Sequence, residues 1–297
     1  MSRRSALNVP VPPWGMAITA MLSIQLGAAL SVELIEQVGP AGTGWLRLSV
    51  GAIILLTIAR PPLRSVRRGD VLPLLGLGVT SGVMSTGFLA AIEHIPLGTA
   101  VAIEFLGPLT VAAVRSHNRK ALIWPAVALF GVVLMTEPWQ GAFNPTGVAL
   151  AALAGGAWGV YILLTQRVGD RFTGISALSM TVPIAAVTAS VVGIPQAMGH
   201  LTIGALATAA GLAILLPVLP YVLEMLALGR MTPTAFGTLM ALAPALGVLL
   251  GLLILHQQPS AIQALGILLV VLAGAAAQRG GDVRQPLTAA PALRIST

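Results

Sequence analysis

Three ionisable side chains, Arg47, Glu104 and Glu224, lie inside long apolar segments of the sequence. A charge in such a segment is energetically costly, and residues of this kind usually bind a ligand, an ion or each other. A guanidinium can hold a carboxylate through two parallel hydrogen bonds, and a carboxylate can bind an ammonium group or a proton. Arg47 and Glu104 therefore carry the two opposite charges that a small zwitterion would need.

The local sequence around Glu104 favours cation binding. Pro108 follows four residues later and has no N–H, so the carbonyl of Glu104 loses its usual helical hydrogen bond. A carboxylate beside a freed carbonyl suits an ammonium group, a proton or a metal ion. Two alternatives stay open for Arg47: it could form a structural ion pair with Glu104, or it could extend toward the membrane interface.

Polar and aromatic side chains on other predicted helices complete the candidate substrate-binding set, and they are Gln25, Trp158, Tyr161 and Tyr221. Trp158 and Tyr161 are three residues apart and therefore share one face of a helix. Both lie too deep in their segment for an interfacial aromatic belt. They are expected either to line a cavity or to pack in the core.

Glu224 follows Pro217 and Pro220 in the same apolar segment. Two prolines imply a break in the helix, which a membrane tolerates beside a cavity or against packed protein. Glu224 is therefore a candidate for substrate binding, although an ion pair with Arg230 near the interface is an equally simple interpretation.

Motifs for catalysis are missing. The sequence lacks G-x-x-x-x-G-K-[ST], H-E-x-x-H and G-x-S-x-G, and it contains no cysteine. We therefore expect no catalytic residue, no metal site and no cofactor, and we do not expect an enzyme.

The composition indicates that lipid, and not water, surrounds most of these residues. Only 8% of the 297 residues are charged and 56% are hydrophobic, whereas soluble domains carry roughly 25% charged residues. Long unbroken apolar runs indicate helices rather than the alternating strands of a membrane barrel. The sequence predicts an all-α polytopic membrane protein of about ten transmembrane helices, at residues 13–33, 41–59, 71–92, 97–114, 121–136, 146–166, 174–195, 203–228, 233–256 and 261–278.

The distribution of charge predicts the topology. Of the 16 Lys and Arg residues, only Arg47 lies within a predicted span. If both termini are cytoplasmic, the others all fall on the cytoplasmic side, while the opposite loops contain Glu33, Glu36, Glu93 and Glu137. We predict a multi-pass protein of the bacterial inner (plasma) membrane. The net charge of +7 is then a topology signal and not a sign of nucleic-acid binding.

The two halves of the sequence also resemble each other weakly. Residues 107–109 (Gly-Pro-Leu) align with residues 243–245 (Ala-Pro-Ala), each following a small and polar helix start. Five spans per half would insert the second half in the opposite sense, which is the inverted repeat of many secondary transporters. We predict a first five-helix repeat at residues 1–140, a second at 141–279 and a disordered cytoplasmic tail at 280–297.

Several of these strings resemble the EamA-type members of the drug/metabolite transporter superfamily, and in particular the threonine/homoserine exporters of bacteria. The most specific are P-L-G-T-A-V-A-I-E-F-L-G-P-L at residues 96–109 and L-P-Y-V-L-E-M at 219–225. The family usually has a glutamate where this chain has Ala243, and a Gly-Glu where it has His256 and Gln257.

The resemblance implies a central cavity and secondary active export of threonine, homoserine or related polar metabolites by proton antiport. The expected partners are a small-molecule substrate, the lipid bilayer and protons, with no nucleic acid and with the protein as a monomer or homodimer. Efflux of another small solute (a nucleobase, a sugar or a cationic drug) is the alternative, and an intramembrane enzyme or scaffold subunit is a more distant one.

The charge pattern yields a prediction about the termini. A reporter enzyme that is active only outside the cytoplasm should be inactive when it is fused to the C-terminus, because the basic loops hold that end inside. A fusion to the loop at residue 94 is the matched control and should be active. Strong activity of the C-terminal fusion would exclude the predicted topology.

Overall fold

The computed structural model describes residues 11–59, 66–115, 119–140, 144–168 and 175–280. These residues form twelve α-helices and contain no strand. The helices are α1 (Pro13–Val38), α2 (Pro40–Ala59), α3 (Arg68–Ile92), α4 (Leu97–Arg115), α5 (Ile123–Thr136), α6 (Pro145–Val168), α7 (Ile175–Ala197), α8 (Ile203–Ala213), α9 (Leu219–Leu228), α10 (Pro233–Met240), α11 (Ala243–Leu255) and α12 (Ala261–Gly280).

The prediction of an all-helical membrane protein is confirmed. Among the described residues, nine helical segments are long and apolar enough to cross a membrane, and a shorter apolar helix covers Lys120–Thr136. One end was misjudged, since α1 continues beyond Glu33 and Glu36 to Val38. Both acidic side chains are exposed, so the helix carries them on its outer face instead of ending there. Residues 281–297, which make up nearly all of the predicted tail, lie outside the described residues.

Small residues allow the helices to approach closely. A Cβ placed on Gly155 of α6 would lie 2.8 Å from the carbonyl oxygen of Glu104 and 3.1 Å from its Cα. A Cβ on Gly107 would in turn overlap the carbonyl of Gly155. Helices in lipid associate through such close backbone packing, because lipid provides no hydrophobic drive between them. The segment that carries Glu104 is therefore pressed directly against α6.

Helices α4 and α11 pack antiparallel along their small residues. Leu97 is opposite Gly251, and Val101 is opposite Gly247, with 3.1 Å between the Val101 Cγ2 and a Cβ placed on that glycine. One turn further along α4 are Glu104 and Phe105, and one turn back along α11 is its first residue, Ala243. The beginning of α11 therefore lies at the level of Glu104.

Two glutamine side chains join the halves of the chain at one end of the bundle, which we call the Gln-capped end. Gln196 Oε1 accepts hydrogen bonds from the N–H groups of Ala41 at 2.7 Å and Gly42 at 3.1 Å. Gln257 Oε1 accepts one from the N–H of Leu97 at 3.0 Å. Each side chain satisfies donors at a helix N-terminus that have no partner within the helix.

Two of the described spans are interrupted. Between α8 and α9 lies a π-helical stretch, Ile214–Val218, in which Leu216 has extended dihedral angles (φ −158°, ψ 117°). The sequence predicted this break from its prolines. The second interruption, at residues 241–242 between α10 and α11, was not predicted. Pro244 favours it, because it lacks an N–H and fits best in the first turn of a helix.

Both interruptions lie against α1. The hydroxyl of Ser23 donates to the carbonyl of Leu215 at 2.9 Å, and the amide nitrogen of Gln25 points to the carbonyl of Ala243 at 3.5 Å. A Cβ on Gly27 would lie 3.3 Å from Leu215 Cβ, so only a small residue leaves room for the break. One turn of α1 therefore contacts the irregular backbone of both interrupted spans.

The packing of α4 against α6 yields a prediction about stability. Gly155→Ala should destabilise the protein by about 1–3 kcal/mol, because its Cβ would press on the Glu104 backbone. Gly156→Ala is the matched control on the next residue of the same helix, where nothing lies within 4 Å. The thermal-denaturation midpoint of this control variant should stay the same or rise, because alanine favours helix more than glycine does. Thermal-denaturation midpoints in detergent distinguish the two, and equal midpoints would contradict the packing described.

Candidate functional site

Arg47 is held by neutral hydroxyl groups. Its side chain is 2% exposed, with Nη1 donating to Ser31 Oγ at 3.3 Å and Nη2 donating to Ser85 Oγ at 3.0 Å. Ser31 lies on α1 and Ser85 on α3, so the guanidinium links three helices. Ser31 also donates to the carbonyl of Gly27 at 2.6 Å, which fixes its oxygen to accept from Arg47.

The structure decides between the alternatives for Arg47. Within the described part of the chain, Arg47 and Glu104 form no ion pair, and Arg47 bonds to the two serines instead. The side chain does not extend toward an interface either, because it is enclosed by α1, α2 and α3. Contact between Arg47 and a substrate stays a prediction. The two serines were missed, since a serine in an apolar helix gives no sign of which distant residue it contacts.

Glu104 is in a different situation. Its backbone is packed against Gly155, while its side chain remains partly exposed. Among the residues that the structure describes, no donor or cation lies within hydrogen-bonding distance of its carboxylate. This carboxylate is therefore available to a ligand that approaches along α4.

Trp158 lies one turn beyond Gly155 on α6 and borders the same region. Its ring packs edge-on against that of Phe105, with 6.5 Å between centroids and 63° between planes. Phe105 is 3% exposed and follows Glu104 directly. Of the two expectations for Trp158, packing against the core is observed, and the partial exposure of the indole leaves its other side open.

Tyr161 lies one turn beyond Trp158 on α6 and forms a second group with Tyr221 and Glu224 of α9. The carboxylate of Glu224 lies close enough to act electrostatically on both phenols. All three side chains are partly buried. The expected ion pair between Glu224 and Arg230 is not found among the described residues. Arg230 Nη1 instead donates to the carbonyl of Val11 at 3.3 Å.

Gln25 lies across α11 from Glu104 at the same level of the bundle. Its side chain is 4% exposed, and its contact with the Ala243 carbonyl is long. The structure thus places Glu104 of α4 and Trp158 and Tyr161 of α6 in one row along α6, with Tyr221 and Glu224 of α9 near Tyr161. Gln25 lies at the start of α11, and Arg47 bonds to Ser31 and Ser85 instead. No group of three or more His, Cys, Asp or Glu residues that could hold a metal ion occurs in the described ranges.

A separate pocket with a cavity volume of about 40 Å³ lies at the Gln-capped end. Its polar lining comes from Thr99 on α4, from Gln257 and Gln258 after α11, and from Gln263 on α12. Ser260 donates to Glu137 Oε1 at 2.8 Å beside it, which fastens the start of α12 to the end of α5. None of the residues predicted to bind substrate contributes to this lining.

Comparison with known proteins gives consistent results. The EamA-like transporter family matches residues 145–276. The threonine/homoserine exporter RhtA of Salmonella typhimurium (strain SL1344) is 38% identical over 261 residues, covering 86% of this chain and 88% of that exporter. The threonine/homoserine exporter RhtA of Escherichia coli (strain K12) is 36% identical over 270 residues, covering 88% of this chain and 89% of that exporter.

A solved structure described as "Crystal structure of protein" has a similar fold, with a TM-score of 0.61 and 19% sequence identity. The match covers 89% of this chain and 98% of the chain in the solved structure. At this identity the likeness concerns the fold alone.

Proposed function

Because the chain belongs to the EamA-like transporter family, we propose that it exports small amino acids such as threonine and homoserine across the bacterial inner membrane. The observation that carries this proposal is the 38% identity to a threonine/homoserine exporter over 88% of that exporter's length. The similarity extends over 86% of this chain. The protein acts as a carrier and not as an enzyme in this proposal.

The row of residues along α6 supports a path for a zwitterion. Glu104 offers a carboxylate without a bonding partner, which is suited to the ammonium group of an amino acid. The N-terminus of α11 begins at the same level, and a helix N-terminus favours a carboxylate through its dipole and its free N–H groups. Tyr161 of α6, with Tyr221 and Glu224 of α9, continues the path. Arg47 links α1, α2 and α3, and its contact with the substrate stays a prediction.

Helix packing supports the inverted repeat that we propose for residues 1–140 and 141–279. The contacts of α6 with α3 and α4 have counterparts in the contacts of α1 with α9 and α11. The α2–α7 and α5–α12 pairs each join equivalent helices of the two halves. Rocking of one such repeat against the other around a central site is a common mechanism of alternating access. Both termini are cytoplasmic in this proposal.

Proton antiport is the coupling that we propose. A single carboxylate can hold a proton or an ammonium group but not both, so competition at Glu104 would link the entry of a proton to the release of an amino acid. Glu104 is suited to this role because, in the part of the chain described, no other residue neutralises it.

Flux measurements test the proposed function. The purified protein in liposomes should exchange labelled threonine for internal threonine or homoserine, and liposomes without protein should not. Labelled uracil, glucose and a cationic dye serve as the competing substrate classes. Movement of one of these solutes, together with no movement of any amino acid, would exclude amino-acid export.

Glu104→Gln tests the coupling. The variant keeps the shape of the side chain and removes its charge, so threonine export driven by a pH gradient should fall about tenfold or more, as expected for losing a charged partner. Glu36→Gln is the matched control, because Glu36 is an exposed acid on α1. Rates are compared at equal amounts of reconstituted protein across a range of pH. A Glu104→Gln protein with the normal rate and normal pH dependence would refute the coupling.

A further inference from the structure

Gln25 has a buried polar atom that nothing in the described structure satisfies. Its Oε1 has no hydrogen-bond partner, and the side chain is only 4% exposed. A buried acceptor without a donor typically costs a protein about 1–3 kcal/mol. Such an atom in an otherwise close-packed helix therefore points to a donor that arrives from elsewhere.

The orientation of the amide is fixed by its surroundings. Nε2 faces the carbonyl of Ala243 at 3.5 Å, and the opposite orientation would set two oxygens against each other. The bond from Nε2 is long, so it contributes little. Thr86 has the other buried unsatisfied atom of the described chain, Oγ1. Its hydroxyl can rotate toward carbonyls of its own helix, which the amide of Gln25 cannot do.

The location of Gln25 links it to the proposed substrate path. Gly274 of α12 contacts both Phe105 and Ala241, which places the interruption between α10 and α11 beside the Glu104 turn of α4. Gln25 lies at the same interruption, on the side of α1. In the proposed binding mode the ammonium group lies at Glu104 and the carboxylate at the start of α11, beside the backbone that Gln25 contacts.

We propose that Gln25 Oε1 accepts a hydrogen bond from the side-chain hydroxyl of the transported amino acid, and so selects threonine or homoserine over amino acids without a hydroxyl. This inference rests on the proposed function. A neutral donor is the appropriate partner, because burying an ammonium group against a neutral amide would leave its charge uncompensated. A site with a buried acceptor rejects an analogue that lacks the donor, since the acceptor then stays unpaired.

Gln25→Met tests the assignment, because it preserves the length of the side chain and removes the acceptor. In liposomes, threonine exchange is inhibited with unlabelled threonine or with 2-aminobutyrate, which is threonine without its hydroxyl. The wild type should favour threonine by roughly tenfold, the value of one good hydrogen bond. In Gln25→Met the two compounds should inhibit exchange almost equally, because only the affinity for threonine falls. Gln37→Met, an exposed position on the same helix, should keep the wild-type ratio.

Thermal stability separates a substrate contact from a structural role. The midpoint of Gln25→Met should equal or exceed that of the wild type, since an apolar group replaces an unsatisfied acceptor. A clear fall in the midpoint, or an unchanged preference for threonine, would overturn the assignment. If the wild type moves no amino acid, the proposed function itself fails. If it moves amino acids without any preference for the hydroxyl, only the role of Gln25 fails.

Discussion

In lipid, every backbone N–H and C=O group needs a partner within the protein, and this requirement shapes the whole bundle. Helices meet it by their own hydrogen bonds, which is why the described chain is helical throughout. Two spans nevertheless interrupt that pattern, at Leu216 and between Met240 and Ala243. Both interruptions lie against one turn of α1, where Ser23 bonds the carbonyl of Leu215. The irregular backbone is therefore confined to positions that pack against α1.

Close packing makes this confinement possible. Glycines at positions 27, 107, 155 and 247 bring α1, α4, α6 and α11 so near to their neighbours that even a methyl group would force a shift. The same glycines fix the level of Glu104 relative to the start of α11. Precise placement of a carboxylate in a membrane protein thus depends on residues that have no side chain, because only they allow backbones to approach this closely.

The buried charges show two different solutions to one energetic problem. Arg47 donates hydrogen bonds to two serine hydroxyls and so joins three helices. Glu104 has no such partner in the described chain and remains partly exposed. A charge that the protein leaves uncompensated is the one that a ligand can neutralise. The departures from the family pattern fit this division, since Ala243 adds no acid at the start of α11 on the level of Glu104, and Gln257 caps α4 without adding a charge.

The sequence alone determined the ten apolar spans, because their length and lack of charge are properties of single segments. It also identified Glu104 and Glu224, since an acid in an apolar segment is conspicuous without any neighbour, and the prolines before Glu224 revealed the first interruption. Only the tertiary structure separated Arg47 from Glu104, because the deciding serines lie on other helices. The interruption at Ala243 likewise escaped prediction, since a single proline does not by itself show whether a helix breaks or only bends, and the contact with Gln25 joins positions 218 residues apart. Hydropathy is a property of each segment by itself, whereas the contacts between helices depend on how distant segments pack together.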